Sequence, residues 1–326
     1  MTPVSGRGVV VVMGASAEHP PPGLPAIAEA VELRYADTPE ALAAALEGAD
    51  VLLAWSGGRD LLRPAWDSAG SLLWIQAASA GVDGLLFPEL VRSHVVLTNA
   101  RGVFDRPIAE HVMGVLLLFA KDLRGALERQ GRREWRPRDT ETLEGKRLLV
   151  VGVGSIGRAI GRAAKGFGML VRGVGRTTRA GDGVFGTVMG VDELHEALGW
   201  ADVVVDVLPA TPATHHLFDA EAFAAMNPWA RFVNVGRGST VDEAALVEAL
   251  RERRIAAAAL DVFETEPLPV DSPLWDLPNV LITPHVAGDA AGWREAVVEL
   301  FVENLERYLT GEPLRNVVDK ELGFVP

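Results

Sequence analysis

Three residues of this chain have types and settings suited to chemistry: an arginine between glycines, a glutamate before a proline and a histidine after one. Phe232-Val233-Asn234-Val235-Gly236-Arg237-Gly238 delivers Arg237 at the end of a strand-like run, with nothing bulky beside it to block its guanidinium. That planar fork suits a carboxylate, or a carboxylate with an adjacent carbonyl. In Ala259-Leu260-Asp261-Val262-Phe263-Glu264-Thr265-Glu266-Pro267-Leu268, three acids follow a second run. Asp261 lies nearest its end, and Pro267 biases Glu266 toward an extended backbone. His285 follows a third run, in Leu281-Ile282-Thr283-Pro284-His285. Taken singly, each has an ordinary reading: a turn arginine, solvated loop acids, a structural histidine. Together they fit hydride transfer to a 2-oxo acid. That reaction needs a cation for the carboxylate and ketone, an acid for the developing alkoxide, and an opposite charge to keep that acid protonated. Arg237, His285 and Glu266 suit these roles in that order.

A hydride needs a carrier, and Gly152-Val153-Gly154-Ser155-Ile156-Gly157 offers a place for one. A bare G-x-G-x-x-G says little in a chain with 34 glycines. Here it follows the apolar run Arg147-Leu148-Leu149-Val150-Val151 and opens a helix-like segment from Arg158 to Phe167. Strand, glycine turn and helix in that order bind a dinucleotide pyrophosphate: the glycines permit the turn, the phosphate approach and the helix–strand contact. The helix N-terminus then offers free N–H groups and a partial positive charge.

The elements that must hold these residues read as two α/β units. Residues 8–13, 31–35, 50–55, 72–76 and 94–98 read as short strands, with a helix over Pro39 to Glu47. A second alternation places strands at 147–151, 169–174, 202–207, 231–235, 256–260 and 280–283, with helices at 156–167, 192–199, 219–226 and 242–253. Such alternation implies parallel sheets. Thr240-Val241-Asp242-Glu243 reads as a capping box for the last helix. Pro20-Pro21-Pro22-Gly23 reads as a loop within the first unit. Ile108 to Lys121 is apolar on nearly every helical face, which predicts burial all round, shared between the cofactor domain and a second subunit. Trp293 to Leu309 predicts a helix returning the chain to the first unit.

Composition narrows the classes. A net charge of −13, with no Lys/Arg run, argues against nucleic acid or an anionic membrane as partner. Val9 to Met13 suits a buried strand rather than a signal peptide, and Val112 to Ala120 is too short to span a bilayer. The absence of cysteine excludes disulfides, thiolate catalysis and Cys-ligated zinc, and fits a cytoplasmic enzyme.

Over nearly its whole length the chain resembles the D-isomer-specific 2-hydroxyacid dehydrogenases, and its second half looks like the glyoxylate/hydroxypyruvate reductase branch. Ser79-Ala80-Gly81-Val82-Asp83, the glycine fingerprint, Leu208-Pro209-Ala210-Thr211-Pro212-Ala213-Thr214, Val233 to Ala245, Asp261 to Leu268 and Thr283 to Gly288 carry the likeness. The resemblance implies two doubly wound parallel-sheet domains with the active site in the cleft between them. A flavodoxin-like substrate domain would comprise 1–102 and 289–326, and a Rossmann domain 103–288. It implies a homodimer, usually through the cofactor domain, and a catalytic triad of Arg237, Glu266 and His285. Ala80 and Gly81 would offer backbone N–H groups to the substrate carboxylate. Asp261 would hold the nicotinamide carboxamide, and Leu208, Pro209 and Val235 would line the cofactor groove with Gly152, Gly154, Ser155, Ile156 and Gly157. No metal is implied.

The cofactor reading rests on one departure. NAD-preferring members carry an acid after the second strand of the nucleotide fold. Here Leu170-Val171-Arg172-Gly173-Val174 runs into Gly175-Arg176-Thr177-Thr178-Arg179, whose donors suit a 2′-phosphate. NADP(H) is therefore expected over NAD(H), with Asp182 solvent-exposed. Other readings on the same plan are a dinucleotide-sensing corepressor-like protein and a phosphite- or formate-oxidising enzyme. Trp55 and Trp135 are candidates to shape the substrate pocket.

Overall fold

The computed structural model describes residues 8–326, which divide into two compact units. One runs to Phe104 and resumes at Ala291–Pro326; the other spans Asp105–Ala290.

In the first unit, β1 (Val9–Met13), β2 (Glu32–Ala36), β3 (Val51–Ala54), β4 (Trp74–Ala77) and β5 (Val96–Thr98) form a wholly parallel sheet in the order β2-β1-β3-β4-β5. Helices α1 (Pro39–Leu46), α2 (Gly58–Leu62) and α3 (Pro88–Arg92) lie in the connections. Thr38 caps α1 by accepting the Ala41 N–H at 3.2 Å, and Pro39 begins it. Because side chains alternate across a strand, Val11 and Met13 pack toward Leu42 and Leu46 while Val10 and Val12 face the opposite side. That other side is covered by the C-terminal helix Trp293–Thr310 through Val298, Phe301, Leu305 and Tyr308. Burial on both faces explains why these strands read as unbroken apolar runs. Trp55 stacks on Trp293 at 6.1 Å, and Phe104 lies 5.8 Å from the same ring. Trp135 is 96% exposed.

The second unit carries β6 (Arg147–Val151), β7 (Leu170–Gly175), β8 (Arg179–Ala180), β9 (Thr187–Gly190), β10 (Val203–Asp206), β11 (Arg231–Asn234), β12 (Ala257–Leu260) and β13 (Val280–Ile282). Their order is β13-β12-β11-β10-β6-β7-β9-β8, parallel throughout except for β8 against β9. Eight strands stand where six are expected. The two extra ones are four and two residues long and sit among glycines, too short for periodicity to register. Six helices complete the unit: α4 (Asp105–Ala120), α5 (Leu123–Gly131), α6 (Ser155–Gly166), α7 (Leu194–Trp200), α8 (Ala220–Ala225) and α9 (Glu243–Arg251).

One expectation is corrected here. The cap of α9 is Asp242, which accepts the Ala245 N–H at 3.0 Å; Thr240 lies outside the helix, its hydroxyl engaged with Asp206 and the Arg237 carbonyl. The helix α4, packed along α6, is only partly covered by its own chain. Ile108, Val112, Met113, Val115 and Leu116 are buried, Leu117, Leu118 and Phe119 half-buried, and Gly114 exposed. Among the described residues no helix is long and apolar enough to cross a membrane.

Electrostatics fastens the sheet at its amino edge. Asp202, just before β10, accepts the Arg147 N–H at 2.9 Å, the Arg147 guanidinium at 2.7 Å and the Trp229 indole N–H at 2.9 Å. Burial pushes its carboxyl up, but these bonds outweigh it and leave it below the usual carboxylate range. A depressed carboxyl adds stability above its unfolded pKa, and that stability is lost as pH falls through the folded one. Asp202→Asn should therefore lower the Tm at pH 7, and its gap from wild type should close as the pH falls below about 4 in thermal melts. Gly157 gives a second expectation. A Cβ there would lie 1.9 Å from the Gly152 carbonyl oxygen, whereas one at Gly166 of the same helix would meet nothing within 4 Å. Gly157→Ala should cost about 1–3 kcal/mol by overpacking and so roughly 3–10 °C of Tm, while Gly166→Ala should be neutral or stabilising by calorimetry.

Candidate active site

β11, β12 and β13 are adjacent parallel strands, so the loops that leave their carboxyl ends emerge on one side of the sheet. Arg237, Asp261 and His285 begin those three loops.

The Arg237 turn is wedged by backbone. A Cβ at Gly236 would lie 2.7 Å from the Leu208 carbonyl oxygen, and one at Gly238 would lie 1.8 Å from the Phe263 carbonyl carbon. The flanking glycines are thus required for close approach of two neighbouring loops, not for clearing a path to the guanidinium. The Arg237 carbonyl accepts the Asn234 side-chain amide at 3.0 Å, and the Asn234 amide oxygen accepts the Gly236 N–H at 2.9 Å. One guanidinium N–H bonds to the Gly236 carbonyl at 2.8 Å.

Glu266 and His285 meet directly. Glu266 Oε2 lies 2.7 Å from His285 Nδ1, while Oε1 accepts the Phe263 N–H at 3.0 Å. A carboxylate accepts only, so it takes the Nδ1 proton and leaves Nε2 as the atom for chemistry. Both side chains keep substantial exposure, 51% for His285 and 36% for Glu266.

Asp261 holds that histidine's loop. Its buried carboxylate accepts the Thr283 hydroxyl at 2.5 Å, the Val286 N–H at 3.0 Å and the Ala287 N–H at 2.9 Å; its carbonyl accepts the His285 N–H at 2.8 Å. These bonds fix His285 at φ +54°, a left-handed conformation that side-chain-bearing residues seldom adopt. Three of four lone-pair positions are used within the loop, which leaves one for a carboxamide N–H. His111, on α4, is a residue the pattern reading passed over. Burial lowers its imidazole pKa, opposed by the nearby Asp261 charge.

The glycine fingerprint has the form a pyrophosphate requires. Gly152 adopts φ +110°, Gly157 allows the turn to close on α6, and Gly154 caps α6 with no side-chain hydrogen bond. A Cβ on Gly154 would meet nothing within 4 Å, so the helix mouth has open space for an anion. Ser155 and Ile156 begin that helix. Leu208 approaches Gly236, and Val235 donates its N–H to the Asp206 carbonyl at 3.0 Å.

Past β7, Arg176 and Thr177 are exposed. Asp182 is exposed as expected, and its carboxylate also pairs with Arg158 at 2.6 Å and Arg179 at 3.3 Å; Arg158 beside it brings its pKa down to about 2. Thr178 is likewise engaged, its hydroxyl donating to Glu193. In the first unit, the Ala80 and Gly81 carbonyls accept from Asn99 Nδ2 at 2.5 Å and Ser79 Oγ at 2.6 Å. Among the described residues, neither N–H has a protein acceptor.

This geometry has parallels in known proteins. Residues 113–287 match the family model described as D-isomer specific 2-hydroxyacid dehydrogenase, NAD binding domain. A glyoxylate reductase of Thermococcus onnurineus is 35% identical over 79% of this chain and 79% of its own. A D-3-phosphoglycerate dehydrogenase of Methanocaldococcus jannaschii is 35% identical over 89% of this chain, which spans 55% of that protein's length. Among solved structures, an NADPH-dependent glyoxylate/hydroxypyruvate reductase of Sinorhizobium meliloti, in complex with NADP and malonate, is 32% identical with a TM-score of 0.82, covering 98% of this chain and 99% of that one. The family model covers more than half of the chain and the glyoxylate reductase matches most of it, so the chain belongs to the D-isomer-specific 2-hydroxyacid dehydrogenase family.

Proposed function

We propose that the protein is an NADPH-dependent reductase that converts a small 2-oxo acid of the glyoxylate or hydroxypyruvate class to the D-2-hydroxy acid. The observation that carries this reading is the 2.7 Å bond between Glu266 and His285 Nδ1, which orients the ring and leaves Nε2 to exchange the proton. The dinucleotide, when bound, supplies the hydride. Gly152, Gly154, Ser155, Ile156 and Gly157 would hold its pyrophosphate, with Leu208, Pro209 and Val235 along the groove and Asp261 on the carboxamide.

Arg237 binds the substrate carboxylate and polarises the ketone through its planar fork. His285 gives the Nε2 proton to the ketone oxygen as negative charge develops there, and Glu266 stabilises the protonated ring. In the reverse direction the same nitrogen accepts the hydroxyl proton. Ala80 and Gly81 add backbone N–H donors to the carboxylate.

The preference for NADPH is supported by Arg176 and Thr177 after β7, where a ribose-binding acid would otherwise stand, and by the NADP bound to the similar Sinorhizobium meliloti reductase. Arg179 is a further candidate, its charge shared with Asp182 at 3.3 Å. We also propose a cytoplasmic homodimer whose interface uses the half-covered α4. Burying Leu117, Leu118 and Phe119 on a partner would remove that apolar area from water.

Initial rates with glyoxylate, hydroxypyruvate, pyruvate and a bulkier 2-oxo acid, each with NADPH and NADH, test the reaction; no turnover of any acid would sink it. Arg176→Ala should raise the KM for NADPH roughly tenfold or more while barely moving that for NADH, the size of one lost charged hydrogen bond. His285→Ala should reduce kcat on the order of 10²–10⁴-fold, the usual contribution of a general acid. Arg237→Ala should instead impair both KM and kcat, and stopped-flow single turnovers separate the two.

A further inference from the structure

Behind the Arg237 turn lies a titratable group that no step above uses. Asp206 ends β10 and is 0% exposed. Its Oδ1 accepts the Leu208 N–H at 3.0 Å, and its Oδ2 meets the Thr240 hydroxyl. The same hydroxyl lies 2.6 Å from the Arg237 carbonyl oxygen.

Proton counting decides the state of this chain of atoms. A threonine hydroxyl has one hydrogen, and a carbonyl can only accept. If the hydroxyl donates to Arg237, the contact with Asp206 is a hydrogen bond only when the carboxyl itself carries a proton. If Asp206 is ionised, the hydroxyl must turn to it, and the Arg237 carbonyl is left facing an oxygen lone pair. No cation pairs with Asp206 among the described residues, so the ionised form would be a buried, uncompensated charge. At the carboxyl ends of the flanking elements the charged and titratable groups are Arg237 on the turn after β11, Asp261 just past β12, and His215 and His216 on the loop before α8, while Arg147 of β6 and Arg231 of β11 lie at the opposite, amino edge. The end of β6, Val150-Val151, carries none.

We propose that Asp206 is a positioning residue that works as a neutral carboxylic acid: it donates through Thr240 to the Arg237 carbonyl and so sets the turn that presents the substrate-binding arginine, while its other oxygen holds the Leu208 turn. Burial is the main cause that pushes its carboxyl up to about 7, which puts the loss of the proton near neutrality. As pH rises through that point the Thr240 link to Arg237 weakens, and affinity for the 2-oxo acid falls. The inference rests on Arg237 as the carboxylate-binding group.

The test uses the intact protein and two readouts. Infrared difference spectra of wild type minus Asp206→Asn at pH 6 should contain the carbonyl band of a protonated carboxylic acid, which fades as pH is raised to 9. This readout needs no turnover, so it stands even if the enzyme reduces none of the acids tried. In kinetics, Asp206→Leu should raise the KM for the 2-oxo acid about tenfold at pH 6 with a smaller change in kcat, and Asp206→Asn should rescue most of that loss. The asparagine amide can donate to Thr240 and its oxygen can accept from Leu208, as the neutral acid does. The ratio of kcat/KM for Asp206→Asn to that of wild type should then rise through the titration point and level off at roughly tenfold, the size of the lost link. Should the Asp206 variants not fold, Thr240→Val provides the same comparison: its KM should be raised at pH 6 and lack the alkaline rise seen in wild type. No protonated-acid band, or variant profiles parallel to wild type from pH 6 to 9, would overturn the proposal.

Discussion

The candidate site depends on backbone packed against backbone at the Arg237 turn. Gly236 presses on Leu208 of the nucleotide side, and Gly238 presses on Phe263, three residues before Glu266 in the loop that bears it. No side chain fits at either glycine without displacing peptide groups, which are far less yielding than a flexible side-chain tip. Three loops from three strands are therefore held in fixed register. A site that must orient a substrate gains from this rigidity, since sub-ångström displacement of a positioning group costs rate.

A second layer consists of buried polar residues at the strand ends. Asp206 closes β10, Asn234 closes β11 and Asp261 follows β12, and each turns its side chain to backbone N–H or C=O groups of the loop that leaves its own strand or the next. Where a parallel ladder stops, peptide groups lose their partners, and an unpaired buried peptide group costs about 1–3 kcal/mol. A side chain with several acceptor positions satisfies two or three such groups at once. The same residues thereby give the loops one conformation, as the left-handed φ of His285 illustrates.

How much of this was legible in the sequence follows from the range of each signal. The strands of both units were readable because burial on two faces writes an apolar run into consecutive residues, as in Val10-Val11-Val12. The Glu266–His285 pair was suggested by residue type beside strand ends. The strand β9 was missed because four residues among glycines give no period. Thr240 misled for a local reason: Ser or Thr three residues before Glu matches a capping box, but the tertiary network took its hydroxyl and left Asp242 to cap α9. Asp182 is exposed as its loop setting implied, but its ion pair left no local sign, because its cation partner Arg158 lies 24 residues away. Asp206 did leave a readable sign, a single acid closing Val203-Val204-Val205. That pattern is costly to bury and therefore calls for a partner.

The two carboxylates that organise the site show why environment rather than residue type sets their state. Asp261 accepts three hydrogen bonds, two from backbone N–H groups and one from a hydroxyl free to donate, an arrangement suited to a charged acceptor. Asp206 has one backbone donor and one hydroxyl whose proton a carbonyl also claims. It lies on the central side of the same sheet, walled by β6 and β11. Charge is stable where donors outnumber competing acceptors and unstable where they do not. The two strands that flank β11 thus place an acceptor behind His285 and a group able to donate behind Arg237, each matched to what its loop must hold.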